Sequence, residues 1–403
     1  MHSFPRTVFS IDIDIPGYII HDFSDLNISR ACDGMGTKGI VMTELRFSAY
    51  GVKYGSGASA KAPEVFVRVT KGDSELSLPR FWLDTHTVHN GRIDFVCYDR
   101  MAFADSTKFT EKDLTLFGVD VEEINLRKKE LKAELKSGSI TQEYYTAQMT
   151  ALDAQLNKKV SSSDIVNVIA QKMNLTPGGF SGDVTAKTDI NAIPGTSCSD
   201  WLQRISEVNC GFFYITNDDM LKFCRFWEIT TPDVRVKDDA YTLPDIGETV
   251  TADGYVIYGD SGQVWEQSAG ADYILQINGG SLADKNTPEL LGDLLDANEP
   301  TYTYGSIEKA LLTNFPYCNS AWSGCNGDLR INNISAVISS FGILASLSAN
   351  QSTVGEIGEF MGIQSRRLEA ALKNGEKLGK HLVHTRYQGV YWEDDDEDEE
   401  SGD

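Results

Sequence analysis

Short apolar runs punctuated by turn residues fill two separate blocks of the chain, 1 to 110 and 240 to 350, and this β pattern limits the fold more than any other feature. In SIDIDIPG, Ile11, Ile13 and Ile15 alternate with Asp12 and Asp14. An extended strand therefore puts the isoleucines on one face and both carboxylates on the other, in water. GIVMTELRFSAYG, EVFVRVT, FWLDTHTV and GRIDFVCYD follow at strand length, and their spacing predicts an antiparallel barrel or sandwich. The second block repeats the pattern in GYVIYG, QVWEQS, DYILQINGGS and GDLRINNISAVISSFGILASLS. One helix, TPELLGDLLDA, interrupts it over 287 to 297.

Between the blocks the pattern changes twice. Residues 121 to 159 are rich in Glu, Lys, Ala and Leu, with a break at Ser137 and Gly138. Ser139 and Gln142 have the spacing of a capping box, so a helical hairpin is expected across the insert 111 to 160. Ile124, Leu131 and Leu135 share a face of its first helix, and Tyr145, Met149, Leu152 and Leu156 a face of its second. These stripes suit packing between the helices, onto a neighbouring domain or at an oligomer contact.

Residues 161 to 239 predict a small α/β domain. SSSDIVNVIAQKMNL reads as a helix with Ile165, Val168 and Ile169 inward, and SDWLQRISEVNCG as one capped by Ser199 and stopped near Gly211. GFFYITNDDMLKF then reads as a β-hairpin whose tip, Asn217 to Asp219, tolerates positive φ and needs only to be solvated. Helix, helix and hairpin also form a winged-helix order. The second helix offers only Arg204 as a cation, however, and the tip carries aspartates where a DNA wing needs lysine or arginine.

A chain of 403 residues with 41% hydrophobic content can fill several cores. Its net charge of -23 opposes binding to phosphate backbones or anionic lipid, which requires basic residues to displace counterions. Nine of the acids lie in Glu393 to Asp403, a tail expected to be disordered beyond a partly helical stretch in 351 to 403. No run of 18 apolar residues and no signal-like amino terminus is present, so neither export nor membrane insertion is expected. Seven scattered cysteines suit reduced thiols in a cytoplasm.

Residues able to carry chemistry do not converge. His86 and His89 are three apart in a strand, on opposite faces; His381 and His384 lack a third ligand nearby. Cys318 and Cys325 fall outside zinc spacings, and the glycines from Gly34 to Gly39 read as a turn, not a phosphate loop. No GxSxG, HExxH or GxxxxGK[ST] occurs. No catalytic, cofactor-binding or metal-binding residue is assigned, and no cofactor is expected. A carbohydrate-processing enzyme or adhesin using Trp82, Trp265 and Trp322 is the alternative from another class.

The segment GRIDFVCYDRMAFAD, with Tyr98, Asp99, Arg100 and Met101 ending a strand, resembles the end of the first barrel in tail hub proteins of bacteriophages and related contractile injection systems. FFYITNDDMLKF resembles the hairpin of that family, DYILQINGGSLADKNTPELLGDLLDA its linker into the second barrel, and AWSGCNGDLRI its Gly-Asp turn opening a barrel strand. These motifs occur in the family's order and span about residues 1 to 350.

The resemblance implies an α+β, mainly β chain with two similar β-barrel domains, 1 to 110 and 240 to 350, beside the helical insert and the small α/β domain. It implies a homotrimer whose six pseudo-equivalent barrels adapt a sixfold tail tube to a threefold tip. Tail tube or distal tail protein, tip, spike or receptor-binding protein, and tape measure protein are the implied partners, and DNA leaves through the lumen without specific binding. A virion tail location after assembly in the bacterial host cytoplasm follows from it. An acidic lumen would repel phosphate. The insert is an addition to the family pattern, and no hydrolase activity is expected because only about fifty residues follow the second β block. A sixfold distal tail or baseplate ring is the alternative within the same class.

Overall fold

The computed structural model describes residues 9–32, 39–54, 62–180, 187–230, 245–259, 262–267, 269, 273–322 and 329–349. All of them belong to one compact unit, Met1–Ser352. His381, His384, Cys325, most of the 34 to 39 glycine run and the acidic tail lie outside the described residues.

Counting strands of four residues or more, the first block contributes β1 (Phe9–Asp14), β2 (Leu26–Ala31), β3 (Thr43–Tyr50), β4 (Glu64–Lys71), β5 (Phe81–His89) and β6 (Arg92–Tyr98). Longer helices α1 (Val121–Lys136) and α2 (Gln142–Leu156) form the expected hairpin. Ile124 and Leu131 are buried, and Leu152 and Leu156 pack against the core. The cap of α2 is Thr141, whose hydroxyl accepts from the Tyr144 amide, whereas Ser139 bonds Ser137 in the turn. Ser139 is therefore two residues too early to cap.

The α/β unit comprises α3 (Ser162–Lys172), α4 (Cys198–Val208), β7 (Gly211–Ile215) and β8 (Met220–Arg225). Ile165, Val168 and Ile169 of α3 are buried, as their spacing requires. The cap of α4 is Ser197 rather than Ser199: Ser197 and Asp200 exchange the two bonds of a capping box. Cys210 takes a positive φ of 52° after this helix, and Gly211 begins the hairpin. A β-carbon at Gly211 would stand 2.3 Å from the Cys224 carbonyl oxygen, so the close strand approach admits no side chain there.

The second block supplies β9 (Asp245–Gly259), β10 (Val264–Gln267), β11 (Tyr273–Gly280), α5 (Thr287–Asn298), β12 (Thr301–Leu312), β13 (Asn333–Ser339) and β14 (Gly342–Ser348). Proline near the start of α5 suits its missing amide hydrogen.

The chain is mainly β, and its two blocks share one sheet. The strand order is β1-β4-β5-β6-β3-β2-β13-β14-β12-β9-β10, with β11 also on β9. Among the described residues this path does not close into a barrel; the blocks meet edge to edge where β2 pairs antiparallel with β13, Ser29 opposite Ser335. Around that seam a four-strand pattern occurs twice. In chain order the strands are β2, β3, β5, β6 and then β9, β12, β13, β14; across the sheet they run β5-β6-β3-β2 and then β13-β14-β12-β9. Each position in the first set therefore has a counterpart in the second, and every pairing in both sets is antiparallel.

Alternation assigns the faces of this sheet. Leu26, Ile28, Leu45, Phe47, Phe95, Ile334, Ala336, Ile338, Ala345 and Leu347 turn inward and are buried. The opposite face carries Asn27, Ser29, Ser48, Ser335 and Ser346, with Glu44 paired to Arg46 and Asp94 to Arg92.

Candidate functional site

The strand LNISRA places Leu26, Ile28 and Arg30 on the same, inward face. Arg30 is only 2% exposed, and an unpaired guanidinium at such depth costs several kcal/mol, so its surroundings must supply acceptors. They do. Nε donates to the Thr43 hydroxyl at 2.8 Å, one terminal nitrogen to the Pro316 carbonyl at 3.0 Å and the other to the Asn217 side-chain oxygen at 3.3 Å. The Phe315 and Tyr317 rings each lie 4.6 Å from the guanidinium carbon. Burial lowers the Arg30 pKa, opposed by Tyr317 and Asp99.

Four parts of the chain converge on this side chain: the first β block, the end of β6, the α/β hairpin and the segment after β12. Asp99 follows β6, and its carboxylate accepts from the amides of Thr43 at 2.8 Å and Met101 at 3.0 Å. Burial pushes its pKa up to about 6, against the pull of the Thr43 bonds and Arg30. The hairpin tip is not merely solvated. The Asn217 amide donates to the Tyr317 hydroxyl at 2.8 Å, and its side-chain nitrogen to the Ser77 carbonyl at 2.9 Å. Asp219, at φ 56°, lies 3.3 Å from the Arg80 guanidinium. Asn217 and Asp219 anchor this tip to the β block, which the polar composition of the turn did not reveal.

The Tyr98-Asp99-Arg100 motif distributes its side chains in three directions. Tyr98 donates to Glu44 at 2.9 Å on the sheet, and burial with that bond raises its pKa to about 12. Asp99 enters the buried junction. Arg100 donates to the Asn174 and Met173 carbonyls at 2.6 and 3.3 Å, capping the end of α3, and lies 4.6 Å from the Trp82 ring. Three consecutive residues thus fasten sheet, junction and α/β unit together. A second tie runs from α4, whose buried Glu207 accepts from the Asn278 amide of β11 at 2.7 Å.

The residues considered for chemistry remain apart. His86 contacts Tyr18 at 3.5 Å, and His89 lies 3.5 Å from Asp94. Asp12 and Asp14 are exposed on β1. Cys318 is buried and donates weakly to the Asn332 carbonyl. Trp82 is half-buried, and Trp265 packs against the core. Among the described residues, no three His, Cys, Asp or Glu side chains gather as metal ligands, and no helix is long and apolar enough to cross a membrane. The buried contacts described above join segments of the chain to one another.

No family model matches the chain, and no curated protein matches it. Solved structures similar to it include tail proteins, two of them from prophages. The 43 kDa tail protein of prophage MuSo2 from Shewanella oneidensis is 10% identical, with a TM-score of 0.45 over 84% of this chain and 97% of that one. Prophage tail protein gp18 from Listeria monocytogenes EGD-e is 10% identical, with a TM-score of 0.42 over 84% and 98%. The tail protein from Neisseria meningitidis MC58 is 7% identical, with a TM-score of 0.43 over 85% and 96%.

Proposed function

We propose that this chain is a structural tail hub of a phage or related injection system, acting as a homotrimeric ring and not as an enzyme. The observation that carries the reading is the four-strand set used twice in one chain and joined edge to edge at β2 and β13. Each set is read as the wall of one of two similar barrel domains, 1 to 110 and 240 to 350. Three copies then present six equivalent walls to a sixfold tube while keeping threefold symmetry for a tip.

The Ser- and Asn-rich face of the sheet is read as the wall of the exit channel. Its carboxylates Glu44 and Asp94 are each paired with an arginine, so this wall resists DNA less by repulsion than by offering short neutral side chains and arginines already engaged with carboxylates. Tube or distal tail protein, tape measure protein and a tip, spike or receptor-binding protein are the proposed contacts in the virion tail, assembled in the host cytoplasm. Junction rigidity serves this role, because a ring that transmits load cannot let its domains swing.

Native mass spectrometry of the full chain tests the reading. A particle of three 44.5 kDa chains is expected. A stable hexamer would assign the chain to another ring of the tail.

A further inference from the structure

Two helix faces are left open to water. On α1, Ile124 and Leu131 turn to the core, and Arg127 and Lys128 are engaged with Glu130, Glu134 and Asp153. The other side of this helix carries Lys129, Lys132 and Lys136, all exposed, beside an exposed ridge of Leu126 and Ala133. On α5, Leu291 and Leu295 are buried, and the other side carries Glu289, Asp293 and Asp296, all exposed, beside a ridge of Leu290 and Ala297. Leu126 is 58% exposed and Leu290 38%. Among the described residues, none of these six charged side chains makes an ion pair. Like charges three and four residues apart repel along a helix, and neither helix supplies an opposite charge at those spacings to relieve its stripe.

The two stripes complement each other in spacing as well as in sign. The lysines stand three and then four residues apart, the acids four and then three. Laid antiparallel, the helices set Lys129 against Asp296, Lys132 against Asp293 and Lys136 against Glu289. The same alignment puts Leu126 near Ala297 and Ala133 near Leu290, large against small, which lets helices approach closely. At 3.6 residues per turn the charges lie on the same side of the leucine–alanine ridge in both helices. Antiparallel packing therefore brings the two charged flanks together, whereas parallel packing would part them. Because both stripes are exposed in the folded chain, the partner of each lies on another molecule. A second copy of the chain carries both.

We propose that α1 of the helical insert docks antiparallel on α5 of a second copy, pairing the three lysines with the three acids and covering Leu126 and Leu290. The contact is heterologous: each copy offers α1 to one neighbour and α5 to the other, as a closed ring requires. The inference rests on the ring reading above for the number of copies, and it gives the insert a role, that of a clamp between neighbours. Exposed ion pairs are weak singly and are screened by salt, so the clamp supplies register and partner choice more than raw affinity.

Charge reversal tests it. One variant carries Lys129→Glu, Lys132→Glu and Lys136→Glu, and a second carries Glu289→Lys, Asp293→Lys and Asp296→Lys. All six positions are exposed, so both proteins should fold with unchanged circular dichroism. Each should raise the concentration for half-assembly, read by sedimentation equilibrium in low salt, by about tenfold or more. A chain carrying all six substitutions should return to within about threefold of the wild type, because the pairs re-form with their signs exchanged. Wild-type trimers with both triple variants assembling equally well would overturn the docking and leave the ring reading standing. So would a six-substitution chain that assembles no better than either triple variant, for the stripes would then answer to other partners. A wild-type chain that stays monomeric across the micromolar range would overturn the ring and the docking together.

Discussion

Replacing Arg30 with methionine should destabilise the protein by about 3–5 kcal/mol, the range found when one partner of a buried charged network is removed. Methionine keeps the length and apolar stem of the side chain and its contact with Phe315 and Tyr317, so little of the loss comes from a cavity. The loss comes from acceptors. The Pro316 carbonyl and the Asn217 side-chain oxygen each lose a charged donor in a place that water does not reach freely, at about 1–3 kcal/mol apiece. Release of the desolvation cost of the guanidinium offsets part of this. Asp99 can escape its lost countercharge by binding a proton, since its pKa is already raised to about 6. Urea titration followed by tryptophan fluorescence measures the total, and amide exchange at Asn217 reports the local effect, because the hairpin tip loses one of its anchors. A stability loss below about 1 kcal/mol with unchanged exchange at Asn217 would refute the reasoning, for it would mean that the buried arginine merely breaks even.

Three other outcomes follow from the same geometry. The Asp99 pKa rises from 3.8 to about 6 on folding, so between those values the native state holds a proton that the unfolded chain has released; its contribution to stability is full at acid pH and falls by about 3 kcal/mol as pH climbs through 6. Urea titrations from pH 4 to 7 should show that decline in the native protein, and Asp99→Asn should flatten it. Gly211→Ala should cost about 1–3 kcal/mol by forcing β7 away from the Cys224 carbonyl, read as a lowered melting temperature; an unchanged value would mean the hairpin can yield. Ser335→Lys on the proposed channel wall should slow genome ejection in assembled particles, and ejection at the native rate would exclude that face from the lumen.

Strand alternation was enough to set the faces of this protein, because a half-buried strand cannot hide which residues it turns inward. Ile11, Ile13 and Ile15 follow it, and so do α3 and the helical hairpin at their own period. Caps were less legible. Serines occur in close pairs, as at 197 and 199, and only the acid three residues on distinguishes the true cap. Arg30 is the instructive omission. The alternation in LNISRA already assigns it to the core, but the partners that make burial tolerable come from Asn217 and Pro316, 187 and 286 residues away, and no local pattern announces them. Conversely, Val88 occupies an inward place in its strand and still lies in water. A buried charge with each of its three nitrogens engaged finds its partners within the chain but far from its own strand.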